Sequence, residues 1–404
     1  MSLDLSKVVG QIETMALGMS RGRQARDQRL REALALFEKS SGEFARLKAK
    51  LERSRVRWWT VAGLYKELNH AYSVSPVPSS FTVIGSDGSH IEVDRHREAR
   101  CFLLNIGAVT LSYGKNPDAV LESFPHLYFG DENVVIAPPP GTGYRELPIE
   151  GSLLDIKRSV LEAQKLAEMG AGLPKDCSAL ALIDGPLILW GLTSRDYPDF
   201  VVDSLLNKGF LIYLDELKRQ GRSKRLALAG YTSFPRSSDV VDTLRVSLCP
   251  NETADCDRYC KGVAFNKRPC DGVYGVQDRD LFSSVLKPGE RSALFVSMAS
   301  INERYRDHRV YFFYLRMDDE IVRIEVPEWV ALDNDLLGLV HSLTLDQCQR
   351  GQGYPVALSE AHEQAVVGTS DRENFWNLAE SYLETESQFV ESSGKSRSKR
   401  TRWV

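Results

Sequence analysis

Two stretches constrain this chain more than anything else in it. Residues 81–93 read FTVIGSDGSHIEV and residues 179–189 read ALALIDGPLIL. Each is an apolar, strand-like run that delivers one aspartate, Asp87 or Asp184, into a step beginning with glycine. The first is expected to leave its strand through a tight turn at Gly88-Ser89, the second through Gly185-Pro186. A carboxylate at the end of a buried strand is costly unless something positive lies against it. Two such strands side by side would bring two acids to one place, and hard divalent cations take oxygen-rich sites of that kind. An Asp-Gly step alone more often marks an ordinary turn.

The order of elements sets the fold class. Residues 101–113 and 126–137 are β-like runs that follow the Asp87 stretch through short turns, which predicts an antiparallel meander. The period then changes. Residues 152–169 carry Leu153, Ile156, Val160, Leu161 and Leu166 on one helix face. The Asp184 strand comes next, then a helix near 200–220, a strand at 225–232 and a helix near 238–246. A meander followed by β-α-β units predicts an α/β fold with a ribonuclease-H-like mixed sheet flanked by helices. Residues 292–297, 310–316 and 321–326 are further strand candidates, with helices at 328–350 and 371–390.

Before this core, residues 1–74 are expected to form a helical arm, with Leu30, Leu34, Phe37, Phe44, Leu47 and Leu51 at the spacing of one helix face and VSPVPS as the following linker. Twelve Lys/Arg stand against five Asp/Glu between Arg21 and Arg57. The bland reading is an amphipathic helix packed on its own domain; the sharper one is a surface that tracks phosphates. Trp58, Trp59 and Tyr65 are expected to anchor the arm. Residues 75–392 would form the main domain and 393–404 a basic, disordered tail. The net charge of −4 argues against a molecule that binds nucleic acid by bulk charge, so such affinity would have to be local or supplied by a partner. No apolar run reaches the length of a membrane span and the opening lacks the form of a signal peptide, which makes the cytoplasm the expected compartment.

Three further groups of residues could carry chemistry. Glu162 and Glu168 lie on the helix upstream of Asp184, and either could lean over the sheet edge to join the two aspartates. Three carboxylates around a cation pair would suit metal-dependent phosphodiester cleavage; a helical glutamate is more often a solvated surface residue. In GQGYPVALSEAH, residues 351–362, Tyr354 and His362 stand eight residues apart, and the histidine would either ligate metal or move protons, or be merely structural. Residues 248–280 read as a polar insertion holding Cys249, Cys256, Cys260 and Cys270, four thiols suited to zinc or to an iron–sulfur cluster, although the spacing is not the usual paired one. Cys101, Cys177 and Cys348 read as small apolar residues.

Taken together, the motifs resemble those of the NurA nuclease family. The matching pieces are SDGSH at Asp87, RSVLE ending in Glu162, ALIDGPL at Asp184, AGYTSFPRSSDVVDTLR from Ala229 and GYPVALSEAHEQAV from Gly353, in the family's order across residues 81–392. The resemblance implies a nuclease that uses manganese, or less well magnesium, to degrade DNA from its ends and to cut single strands. It implies a homodimer working with a HerA-type hexameric ATPase in prokaryotic DNA end processing. By position, Asp87, Glu162 and Asp184 would be metal ligands, His362 a ligand or proton carrier, and Tyr354 a positioning group. The Arg158-to-Glu162 step favours Glu162 over Glu168. Arg236, in the SFPRS turn, would contact DNA phosphate or serve as scaffold. The cysteine insertion lies outside the family's common pattern. Two other readings stay open: a catalytically silent adaptor for the ATPase, and a nucleic-acid-binding protein centred on the cysteines.

Overall fold

The computed structural model of the chain describes residues 4–56, 59–93, 100–193, 197–264 and 267–385. They fall into two compact units. One comprises the chain up to Val74 together with Ser233–Asn302 and Tyr311–Ile324; the other comprises Ser75–Thr232, Glu303–Val310 and the chain from Glu325 onward.

The second unit holds a mixed sheet in the strand order Leu226–Thr232, Ala179–Asp184, Phe81–Ile91, Cys101–Tyr113, Asp118–Phe129. The first three run parallel and the last two continue as an antiparallel meander. This is the α/β, mixed-sheet class expected from the order of elements. The Ser152–Gly172 and Val356–Ala365 helices both pack on the Asp87 strand and its meander neighbour.

Several boundaries differ from the sequence reading, each for a physical reason. Asp87 does not enter a turn at Gly88-Ser89: its strand continues to Ile91, paired with residues 103–113 of the next. Glycine is needed there for a close approach, described below, and not for a bend. The third strand is Asp118–Phe129 rather than 126–137; it is a sheet edge, mostly exposed, so it lacks the buried alternation that marks a strand. Val135–Ile136 instead pairs with Leu147–Pro148. The Asp184 strand, by contrast, ends at Asp184 as expected, where Gly185 takes a φ of +105°. The 328–350 helix is two, Glu328–Ala331 and Asn334–Arg350, because the Asp333 carboxylate caps the second by accepting from Asp335 N and Leu336 N. The last described helix is Thr369–Thr385.

In the first unit the arm is helical over Leu5–Lys7, Val9–Gly42 and Phe44–Arg53, not to residue 74. Ala62–Leu64 is a strand, paired with Phe295–Ser297, itself shorter than the expected 292–297. Phe37, Leu47 and Leu51 are buried in one core with Val240, Leu244, Val273, Val276 and Phe282, and Leu30, Leu34, Phe44 and Trp59 pack against it. The arm therefore packs on its own unit. Residues 248–280 are not simply a polar insertion, since Val273 and Val276 belong to that core. Trp58 and the basic tail 393–404 lie outside the described residues. Among the described residues no helix is long and apolar enough to cross a membrane.

Candidate active site

The parallel register carries the two aspartates together. Thr82 pairs with Ala179 and the pairing runs to Ser86 with Ile183, so the next step sets Asp87 beside Asp184. Neighbours in register on parallel strands project to the same face. Because the Asp184 strand ends there while the Asp87 strand runs on to Ile91, a notch opens on that side of the sheet.

Alternation along the Asp87 strand then divides its contacts between two helices. Asp87 faces the Val356–Ala365 helix, where His362 Nδ1 lies 2.7 Å from Asp87 Oδ2. Gly107, the register partner of Asp87, lets that helix lie against the sheet: a Cβ there would strike the Ala361 carbonyl oxygen and come within 2.6 Å of Ala365 N. The end of the same helix is tied down by Ser89 Oγ, 2.5 Å from Ala365 O, and by Asn105 Nδ2, 2.9 Å from the same oxygen. These side chains satisfy a carbonyl that the helix end leaves without a partner.

Ser86 and Gly88 face the other way, toward the Ser152–Gly172 helix. Ser86 Oγ donates to the Glu162 carbonyl at 3.1 Å, pinning the helix at the residue that matters. Gly88 leaves room for the site: a Cβ there would sit 2.8 Å from Arg158 Cγ and 2.8 Å from Glu162 Oε1. Glu168 lies elsewhere on the helix, partly exposed and held by Lys165 at 2.6 Å and Gln164 at 3.0 Å. Glu162 is buried and is the acid on this face.

Arg158 links the parts. Its Nη1 donates to Gly88 O at 2.7 Å and Glu162 Oε1 at 3.2 Å, and lies 3.7 Å from Asp87 Oδ1. The two carboxylate oxygens thus lie no farther apart than the sum of the last two distances. Asp184 is gripped separately. Tyr354 donates its hydroxyl to the Asp184 carboxylate, and the Tyr354 ring stands edge-on to the buried Tyr231, the register partner of Asp184. The loop after Asp184 is fixed by Glu325, which accepts from Leu187 N at 2.9 Å, and by Tyr305, which accepts from Leu189 N at 2.8 Å.

The electrostatics follow from crowding acids in a notch. Burial pushes Glu162 up to about 8, opposed by Arg158 and reinforced by Asp87 and Asp184. Asp184 is an exposed residue, yet desolvation of its carboxyl raises its pKa; the Tyr354 hydrogen bond opposes the rise and the Asp87 charge adds to it. Burial and the neighbouring Asp184 raise Tyr354, keeping its hydroxyl protonated as a donor.

Asp87, Glu162, Asp184, Tyr354 and His362 are therefore drawn to one end of the sheet. Arg236 is an exposed loop residue of the first unit, and the four cysteines also belong to that unit. Sequence reasoning gave Arg158 no role of its own, although its place four residues before Glu162 is the spacing of facing helix neighbours. It overlooked Ser86, Ser89 and Asn105, which carry no signal until the helices are packed.

Among the described residues no three acids, histidines or cysteines are gathered as a ready-made ion cage. The donor set nonetheless fits a hard divalent cation, being three carboxylates and an imidazole. The Arg158 guanidinium stands between Asp87 and Glu162 where positive charge is needed, and Glu162 stays protonated in the absence of more.

The NurA domain model matches residues 81–367 of the sequence. The chain belongs to the NurA family. Among solved structures, the NurA nuclease from Sulfolobus solfataricus shares the fold, with a TM-score of 0.51 and 12% identity over 96% of this chain and 98% of that one. A structure of NurA with manganese matches with a TM-score of 0.34 and 11% identity, over 75% of this chain and 89% of that one. No curated protein matches the sequence.

Proposed function

We infer that this NurA-family protein is a divalent-metal-dependent DNA nuclease that hydrolyses phosphodiester bonds from DNA ends and within single strands. The observation that carries the reading is the meeting of Asp87, Glu162, Asp184 and His362 at one notch in the sheet, in a chain of this family. Manganese or magnesium would be held by these four residues, and when bound it supplies activation of the attacking water and stabilisation of the leaving oxygen.

The protein's own groups do the rest. Asp87 accepts from His362 Nδ1 at 2.7 Å, leaving the exposed ring's Nε2 to carry a proton to or from solvent. Tyr354 keeps Asp184 from swinging. Arg158, the cation beside Asp87 and Glu162, would meet a phosphate oxygen of the substrate. The assembly we favour is a homodimer working with a HerA-type hexameric ATPase in the cytoplasm. The chain's net charge of −4 agrees with a nuclease to which a motor delivers DNA.

The test is cutting of end-labelled linear DNA with manganese, with and without the ATPase, by wild type and Asp87→Ala. Because loss of an outer-shell group costs ~10–100-fold at metal sites, loss of this acid should slow cutting by more than ~100-fold. Equal cutting by both proteins would remove the activity from this site. Silence from both under every condition would favour an adaptor.

A further inference from the structure

The unit that carries the notch also holds a cleft of about 730 Å³, lined by Tyr144, Phe200, Asp203, Asn207, Arg304 and Arg306 among others and by none of the catalytic groups. Its size is that of a small-ligand site. Two unusual stretches of backbone meet there. Asp203–Phe210 is a π-helix, a form seen mostly as short bulges and often at functional sites. Arg306 kinks its 3₁₀ helix with φ +53° and ψ −122°, a conformation that favours glycine. Strain of this kind persists where the surroundings impose it, and it gathers at ligand clamps. Arg306 Nη2 joins the two stretches by donating to Asn207 Oδ1 at 3.2 Å.

The lining suits a planar ring with a polar edge. The Tyr144 and Phe200 rings lie 5.8 Å apart at 45°, so neither covers the other's face, and Tyr144 is exposed. Both guanidinium groups are held, Arg306 by Asn207 and Arg304 by Asp199 at 2.7 Å, which fixes their planes for stacking. Asn207 Nδ2 donates to Asp203 Oδ1 at 3.2 Å, and Lys208 Nζ lies 2.6 Å from Asp203 Oδ2. Charge balances, with Asp199, Asp203 and Glu303 against Lys208, Arg304 and Arg306. A cleft without surplus charge has little hold on an isolated phosphate. A neutral ring edged with amino and carbonyl groups can meet its carboxylates, amide and guanidinium groups.

We propose, on the nuclease reading above, that this cleft is a nucleobase subsite that takes one unpaired base of a DNA strand, the phosphates lying outside it. A strand is favoured over a free nucleotide by what the cleft is built on. Gly209 of the π-helix lies against Val160, where an added Cβ would come within 3.3 Å. Val160 stands between Arg158 and Glu162 on the helix of the active site. Ser152, at the start of that helix, shares a 3.1 Å hydrogen bond with Tyr197, just before Asp199 and Phe200 in the chain. From Ser152 to Glu162 is ~15 Å of helix, which a short run of unpaired nucleotides spans.

The test is fluorescence anisotropy of labelled DNA with the full chain in chelator, which reads binding and not cutting. Tyr144→Ala should bind an oligo-dC strand ~10-fold more weakly than wild type, the scale of one stacked base. It should bind an abasic strand of the same length, and a blunt duplex, as wild type does. Arg306→Gly should also weaken the oligo-dC strand while melting no lower than wild type, because glycine takes that backbone conformation without strain. Oligo-dC affinity equal to wild type in both folded variants would overturn the proposal. So would a wild type that holds the abasic strand as tightly as oligo-dC, or that binds neither. Displacement of the strand by dCMP as effectively as by unlabelled oligo-dC would put a free nucleotide in the cleft and overturn it too. Equal cutting by wild type and Asp87→Ala counts against the nuclease reading alone, since none of these outcomes is read from cleavage.

Discussion

Glu162 is an acid of the site whose surroundings oppose its charge. It is buried, close to two aspartates, and has Arg158 as its positive neighbour. In the unfolded chain it ionises near 4.5, whereas the folded, metal-free protein holds the proton up to about 8. Between those values the folded state binds the extra proton, so this residue's contribution to stability falls as pH rises through the window and levels off above it. Glu162→Gln keeps the shape and removes the titration. In chelator-treated buffer its melting temperature should therefore gain on wild type from about pH 5 to about pH 8, while manganese-dependent cutting is lost. A gap between the two proteins that stays constant with pH would show that the carboxyl is ionised throughout.

At the scale of elements, the site depends on how closely one helix lies on the sheet. Gly85 and Gly107 face the Val356–Ala365 helix, and the nearest atoms an added Cβ would meet are main-chain atoms of Ala357, Ala361 and Ala365. Backbone cannot step aside as a flexible side chain can. Gly107→Ala should push the helix outward, costing about 1–3 kcal/mol of stability by urea titration. Since His362 directly follows Ala361, the same change should lower cutting by more than the loss of folded protein explains. Unchanged activity per folded molecule would mean that the His362–Asp87 contact tolerates a moving helix.

For the whole molecule, the arm serves two halves differently. Residues 4–28 are almost all exposed, whereas Ala33, Phe37, Leu47 and Leu51 are part of the first unit's core. Removing the chain through Gln28 should leave the thermal transition within a few degrees of wild type, since exposed positions contribute within about ±0.5 kcal/mol each. Extending the deletion through Arg53 removes Phe37 and three aliphatic or alanine partners. With ~3–5 kcal/mol for loss of one buried phenylalanine side chain, that unit should no longer melt cooperatively. Calorimetry of the two truncations distinguishes these outcomes. A cooperative transition surviving the longer deletion would mean that the unit's core closes without the arm.

Periodicity and strand-end chemistry, which are local, told much from sequence alone. The meander, the change to alternating strands and helices, the helix that carries Glu162 and the aspartates at 87 and 184 all follow from patterns a few residues long. Elements without such a pattern were misread: the exposed Asp118–Phe129 edge strand buries no face, and the segment after Arg53 has no helix to continue. What only the folded chain decided is which groups meet. Asp87 and His362 are 275 positions apart, and Asp87 meets Arg158, from a helix farther along the chain, at 3.7 Å. The glycine after Asp87 reads as a turn in sequence and proves to be the gap that admits Arg158 and Glu162. Backbone propensity is written in neighbouring residues, whereas the position of a charge relative to its counter-charge is written only in the packing of elements distant along the chain.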